Sequence, residues 1–389
     1  MRVIAPMSTF SSRLFTTYVC AIGLITCAPA EQPAKAPLTS FRQPAGTMPL
    51  GVRAFYVADA ARAYAAAPGQ PRQIGVRLFY PAASSDDAQA HYADPALAAA
   101  MQEADYNGVH DETLAGWPDL LVAARVDAPA SDAQRWPLVL FGVGFGVSGI
   151  NYTVFAQDLA SRGFVVAVLD SPGLGFMLGP DGAAWAAGEP DEALASAQTL
   201  ELTADAQAAT SWLLGQADLN IDSQRVAMMG HSLGGAAALE ACRLDARLRA
   251  CINLDGHPFG PVQQAGLGGP SLVFMNQPVP RGTPLGPLGV ERAALWRGIA
   301  EHTDACAYFV TISEISHLSF ADFYAVVPAS LSAPLGDLTG DDLYAAINDI
   351  SYAFLNEAFA GNFTDAVPAQ VAQRDFARLD QYGACGGGS

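Results

Sequence analysis

The chain has 389 residues, 51% of them hydrophobic and 15% charged, which excludes a disordered chain and supplies enough apolar surface for a large core. Its formal net charge of −18 excludes electrostatic capture of nucleic acid or of an anionic membrane. The single lysine, Lys35, lies near the N-terminus, so chemistries that need a lysine inside the fold are excluded too: Ser-Lys dyads, Schiff bases and P-loop phosphate binding.

Residues 1–30 read as a secretory signal peptide. Arg2 and Arg13 give a basic start, Leu14 to Thr26 is mostly apolar but short for a bilayer span, and Ala28-Pro29-Ala30 has the small-residue pattern of a cleavage site. A secreted or periplasmic protein follows, with a lipoprotein anchored at Cys27 as the alternative. No later segment is long and apolar enough for an integral membrane span. Residues 31–50, rich in Pro, Ala and Thr, read as a linker or N-terminal arm. One domain is expected over 51–385, with 386–389 as a frayed glycine tail.

Arg53 to Val57 and Ile74 to Tyr80 read as early strands, the second ending at Pro81. Residues 82–134 are Ala-rich, with helical patches over Asp94 to Ala104 and Asp111 to Ala124, and stand where a cap could be inserted. Pro137 to Phe141 is a buried strand. Asn151 to Arg162 is a helix with Asn151 as its N-cap, and Phe164 to Leu169 is the next strand. A Gly/Pro-rich loop over 171–190 leads into a long helix, Asp191 to Gly215. Strand and helix then alternate: strand Arg225 to Met229, helix 233–245, strands Ala250 to Leu254 and Ser271 to Met275, helix 289–301, strand Ala307 to Ile312, and a late helix Asp341 to Ala360. Alternation with continuously apolar strands implies an α/β protein, a mostly parallel sheet with helices on both faces. Of the six cysteines, four lie beyond the signal, which allows three pairings; Cys242–Cys251 and Cys306–Cys385 are the favoured ones.

The chemistry is concentrated where an apolar strand runs into Gly230-His231-Ser232-Leu233-Gly234 and an Ala-rich helix follows at once. So sharp a strand-to-helix turn strains the serine and needs very small neighbours, which Gly230 and Gly234 supply. This is the pattern of a nucleophile elbow with Ser232 as nucleophile. Such a serine needs a base and an orienting acid further along the chain, at the carboxyl ends of later strands. His317 follows the last strand of the alternation. His302 closes a helix at the wrong end of the sheet, and His257 precedes any later acid of use. No carboxylate follows strand 271–275 before Glu291, so Asp255, after strand 250–254, is the acid by elimination. The oxyanion is expected on the Leu233 N–H and on an amide of the loop Gly142-Val143-Gly144-Phe145-Gly146.

Gly144-x-Gly146-x-x-Gly149 also satisfies a dinucleotide fingerprint, with Asp170 where a ribose-binding acid would stand. Against an NAD-dependent oxidoreductase stand the helix start beyond the glycines, the mid-chain position and the export signal. No cofactor and no metal are expected.

With these residues in hand, the chain resembles the platelet-activating factor acetylhydrolase family, α/β-hydrolases related to the dienelactone-hydrolase type. The likeness rests on Pro137 to Phe141 continuing through Asp158-Leu159-Ala160-Ser161-Arg162-Gly163-Phe164-Val165-Val166-Ala167, on Gly230 to Gly235, on Leu254-Asp255-Gly256, and on His317-x-x-Phe320-x-Asp322-Phe323. The resemblance implies metal-free hydrolysis of short-acyl esters, with the amides of Phe145 and Leu233 as the oxyanion hole and a small ester or lipid-like substrate as partner. One departure is Val143-Gly144, where the family usually has His-Gly. Other readings of the same chain are a cutinase- or polyester-type hydrolase and a non-catalytic binding protein on a hydrolase fold.

Overall fold

Val139 and Phe141 turn to one side of their strand and Leu138 and Leu140 to the other, and all four are fully buried. A strand apolar on both faces needs cover on both, and that need organises the fold. The structure is a computed structural model describing residues 41–64, 67–84, 86–188, 192–328 and 335–385. The expected signal peptide and the glycine tail lie outside the described residues.

The chain opens with a long antiparallel hairpin, β1 (Leu50–Tyr64) and β2 (Ala67–Pro81). Next comes the segment 82–134, carrying β3 (Gln89–His91), α1 (Pro95–Glu103), α2 (Asp111–Gly116) and β4 (Leu121–Val126). The alternating core follows: β5 (Trp136–Gly142), α3 (Thr153–Ser161), β6 (Val165–Asp170), a small hairpin of β7 (Met177–Leu178) and β8 (Ala184–Trp185), then α4 (Glu192–Leu214), β9 (Ile221–His231), α5 (Leu233–Leu244) and β10 (Leu248–Leu254). It continues through α6 (Val262–Ala265), β11 (Ser271–Gln277), α7 (Pro287–Glu301), β12 (Ala307–Ser313), α8 (Phe323–Val326), α9 (Gly340–Ala360), α10 (Ala366–Ala372) and β13 (Ala377–Tyr382).

Eleven strands form one sheet in the order β13-β12-β11-β10-β9-β5-β6-β2-β1-β4-β3. The six from β12 to β6 are mutually parallel, and β13 and β2 flank them antiparallel. One face is covered by α4, α5 and α7, through residues such as Leu202, Leu239 and Trp296. The other is covered by α3, α9 and the 82–134 segment, through Phe155, Phe354 and Trp117. A mostly parallel sheet with helices on both faces is what the strand-helix alternation implies.

Several elements differ from their sequence reading. The helical patch Asp111 to Ala124 stops at Gly116, and Leu121–Val126 is a strand paired with both β1 and β3. Its alanines fit helix or strand, and the long-range pairing decides. The arm over 31–50 is docked from Phe41 onward: Phe41 stacks on Tyr92 with ring centroids 5.0 Å apart, and the amides of Ala45 and Gly46 donate to Asp158 and Ser161 of α3. Helix α3 starts at Thr153, and Asn151 is not its cap. Asn151 lies in a 3-10 turn, Gly149–Tyr152, its buried amide bridging the hydroxyls of Tyr92 and Tyr106. The edge strand β13 and helix α10 were not read from the sequence. Both favoured disulfides are present, Cys242–Cys251 and Cys306–Cys385.

Candidate active site

The turn between β9 and α5 carries Ser232 at φ 54°, ψ −122°, a conformation that L-residues rarely hold. It persists because its neighbours leave no alternative. A Cβ on Gly230 would lie 2.3 Å from the Gly234 carbonyl oxygen, and one on Gly234 would lie 2.2 Å from that of Gly142. The Ser232 N–H donates to the Leu254 carbonyl, tying the turn to the next strand.

Three strand ends deliver the groups that meet at this serine. Ser232 Oγ lies 2.9 Å from His317 Nε2, and His317 Nδ1 lies 2.7 Å from Asp255 Oδ2. Asp255 follows β10 in a left-handed conformation, φ 54°, its amide held by the Phe274 carbonyl. His317 opens a 3-10 turn, His317–Phe320, whose start is closed reciprocally by Ser316 and Ser319. Both Asp255 and His317 are buried. Such a line can carry the hydroxyl proton to the imidazole while the carboxylate fixes the tautomer and stabilises the resulting cation. His257 and His302 stand apart from this line. His302 caps the end of α7 and faces solvent. His257 packs on Phe259 and is pushed down to about 4 by burial, with the Arg292 charge adding to it.

The other Asp255 oxygen accepts from the Asn276 N–H at 2.9 Å and meets Arg292 Nη1 at 3.2 Å. Arg292 also donates to the side chain and carbonyl of Asn276. Neither residue was singled out from the sequence. The strand end Met275-Asn276-Gln277 was searched for a carboxylate, yet what it contributes is a backbone donor. A cavity of about 430 Å³ opens beside His317, lined by apolar residues that include Met275, Pro278, Val279, Leu285 and Leu288.

Opposite the histidine, the loop after β5 closes on the elbow. A Cβ on Gly144 would lie 3.0 Å from His231 Nδ1, 3.1 Å from the Tyr152 hydroxyl and 3.4 Å from Ser232 Cβ, so any larger residue would crowd these side chains. Among the described residues, neither the Phe145 N–H nor the Leu233 N–H donates a hydrogen bond. The Gly144 N–H does, to Tyr152 Oη. The 82–134 segment reaches this loop: the Tyr106 hydroxyl accepts from the Ser148 N–H, and Asn107 donates to the Gly146 carbonyl.

Two further carboxylates brace the region. Asp322, five residues past His317, accepts from the N–H groups of Thr153 and Val154 and is the group that caps α3. Burial raises it to about 8, against the pull of those amides and of Arg77. Asp170, the acid of the dinucleotide fingerprint, turns back to accept from the Gly149 N–H at 2.7 Å and is raised to about 7 by burial. A Cβ on Gly149 would lie 2.5 Å from this carboxylate. The place a pyrophosphate would take at the start of a helix is thus filled by the chain's own side chain.

Residues 39–171 and 208–360 match the family described as platelet-activating factor acetylhydrolase, isoform II. The chain belongs to that family. The two matched stretches contain β5 with its loop, the elbow, Asp255 and His317. Among curated relatives, a probable 1-alkyl-2-acetylglycerophosphocholine esterase of Arthroderma benhamiae is 30% identical over 170 residues, 39% of this chain and 43% of that protein. A platelet-activating factor acetylhydrolase of Cavia porcellus is 28% identical over 169 residues, 36% of this chain and 39% of that protein. The chain thus aligns with less than half the length of each of these acetylhydrolase-family relatives. A ferulic acid esterase from Streptomyces cinnamoneus has a similar structure, with a TM-score of 0.73 at 24% identity, covering 88% of this chain and 99% of that one. That likeness shows the fold, and the fold is that of the α/β-hydrolases.

Proposed function

We infer that the protein hydrolyses carboxylic esters, with a preference for short acyl groups, through an acyl-enzyme on Ser232. The observation that carries this reading is the unbroken hydrogen-bonded line from Ser232 through His317 to Asp255 at a strained turn. In the proposed cycle, His317 Nε2 takes the hydroxyl proton as Ser232 Oγ attacks the acyl carbon. The amides of Phe145 and Leu233 receive the oxyanion, and the start of α5 adds its favourable dipole. His317 then returns the proton to the leaving alcohol. Water, deprotonated by the same imidazole, releases the acid and restores the serine. Membership of the acetylhydrolase family supports the ester substrate. The apolar cavity beside His317 supports an apolar, lipid-like portion on it. The two disulfides support an oxidising location, secreted or periplasmic.

The test is Ser232→Ala assayed on a panel of p-nitrophenyl esters of rising acyl length. Turnover should fall on the order of 10⁶-fold. The native protein should give a burst of p-nitrophenol and an acyl adduct on Ser232 by mass spectrometry. Turnover at the native level in Ser232→Ala would overturn the reading, and a steady rise of kcat/KM with acyl length would overturn the short-acyl preference.

A further inference from the structure

The elbow residue His231, directly before Ser232, is buried and is used by neither the proton line nor the oxyanion amides. Its Nδ1 lies 2.9 Å from the Tyr152 hydroxyl, and its Nε2 lies 3.0 Å from the His317 carbonyl oxygen. Tyr152 Oη in turn accepts the Gly144 N–H at 3.0 Å. The two ends of this chain fix its direction. An amide N–H only donates and a carbonyl only accepts. A neutral His231 must therefore carry its proton on Nε2 to donate to the His317 carbonyl, which leaves Nδ1 to accept the Tyr152 O–H. One arrangement of neutral groups satisfies every contact, whereas a protonated His231 would take away the acceptor of the Tyr152 O–H. Burial keeps both rings in that state: His231 is pushed well below its ordinary range by desolvation and the nearby His317, and Tyr152 is raised well above its own by desolvation.

Each group on this chain is next to, or part of, a piece of the proposed machinery. Gly144 precedes Phe145, His231 precedes Ser232, and the last acceptor is the backbone of His317 itself. The imidazole also packs in tilted contact with its neighbours, with ring centroids 4.6 Å from His317 and 5.8 Å from Tyr152. We propose that Tyr152 and His231 are positioning residues that set the distance between the oxyanion loop, the elbow and the histidine loop. This inference rests on the ester-hydrolase reading above. It also accounts for how the loop is held although Val143 stands where the family usually has histidine: the brace comes from Tyr152, on the following turn.

Three variants test it: Tyr152→Phe, His231→Leu and His231→Gln. Glutamine presents an acceptor and a donor at nearly the spacing of the two ring nitrogens, whereas leucine keeps the bulk and offers neither. Tyr152→Phe and His231→Leu should lower kcat on p-nitrophenyl acetate up to about 10²-fold, the scale set by misplacing reacting groups by about 1 Å, with KM within about twofold of native. Inhibition by an alkylboronic acid, which needs the oxyanion amides, should weaken in parallel. His231→Gln should recover kcat to within about threefold. A second readout does not depend on esterase activity. Deuterium uptake in the peptide containing Gly144 should quicken in Tyr152→Phe, and uptake in the peptide following His317 should quicken in His231→Leu. Native kcat in folded Tyr152→Phe and His231→Leu would overturn the proposal. So would equal losses in His231→Leu and His231→Gln, or unchanged uptake in both peptides. Failure of the ester-hydrolase reading would appear separately, as full turnover in Ser232→Ala.

Discussion

Ser232 illustrates how a single residue's backbone is held in place by its neighbours' lack of side chains. At φ 54°, ψ −122° it is strained, and the strain is maintained by glycines that let β5, the elbow and α5 approach to backbone contact. Gly234→Ala would set a Cβ 2.2 Å from the Gly142 carbonyl oxygen, an atom that cannot swing away as a side chain could. The start of α5 must then move off β5, and the elbow moves with it. We expect a loss of about 1–3 kcal/mol in urea unfolding, as for overpacked cores, and a fall in kcat on the order of 10² from the displaced hydroxyl. A Gly234→Ala protein with native stability and native kcat would show that the close approach is not needed. At this scale the sequence is most readable where chemistry imposes a local pattern. Gly-x-Ser-x-Gly is such a pattern, and so are a carboxylate and an imidazole placed after later strands. Tyr152, Asn276, Arg292 and the cap from Asp322 were not legible, because each role is defined by a partner far away in the chain. Tyr152 and His231 are 79 residues apart, and Asp322 and Thr153 are 169 apart. The one readable hint was the Asp in the motif that follows His317, and nothing in that motif says which helix it caps.

At the scale of elements, the parallel core was legible because its strands are apolar on both faces and helical stretches stand between most of them. The edges were not. The strand Leu121–Val126 has the composition of a helix, and only its pairing with β1 and β3 makes it extended. The strand β13 runs antiparallel on the far edge, paired with β12 over Ala307 to Ile312. It lies at the end of the described chain, where few contacts follow. Its second tie is Cys306–Cys385, which closes 79 residues. By loop-closure entropy that bond stabilises the native state by up to about 4 kcal/mol, while Cys242–Cys251, closing 9 residues, contributes less. The double variant Cys306→Ala, Cys385→Ala should therefore melt well below the native protein. Its β13 amides should exchange much faster while those of β10 and β11 stay protected. The Cys242→Ala, Cys251→Ala protein should show the smaller loss. Equal losses in the two variants would refute the ranking.

For the whole molecule, the buried titratable groups set how stability depends on pH, and they oppose one another. Asp170 and Asp322, raised to about 7 and about 8 by burial, lie above the unfolded value of about 3.9. Such carboxyls stabilise the fold fully below about pH 4, and that contribution is lost as the pH rises towards 7 and 8. His231, driven well below its ordinary value, and His257, driven to about 4, lie below the unfolded value of about 6.5. Their contribution is complete above about pH 6.5 and is lost as the pH falls. Between about pH 4 and 6.5 the two pairs work against each other, and the stability curve should be nearly flat. Above that window only the carboxyls act. In a chain with 38 acids against 20 lysines and arginines, self-repulsion also grows as the last carboxyls ionise. Below the window a third set enters. Arg62 and Arg225 hold Asp59 and Asp222 below the usual range against the desolvation that burial imposes, and Arg247 holds Asp245 there by direct hydrogen bonds. Their contribution, present above about pH 4, is lost as they protonate. Scanning calorimetry from pH 3 to 9 should thus show a melting temperature that is level near pH 4–6.5 and falls on both sides. Asp322→Asn keeps the shape of the side chain but cannot ionise, so its alkaline decline should be shallower than the native one. A native melting temperature that climbs between pH 6.5 and 8 would overturn this balance, and an Asp322→Asn curve parallel to the native curve there would mean that Asp322 is already ionised at neutral pH, held so by the Thr153 and Val154 amides at the start of α3.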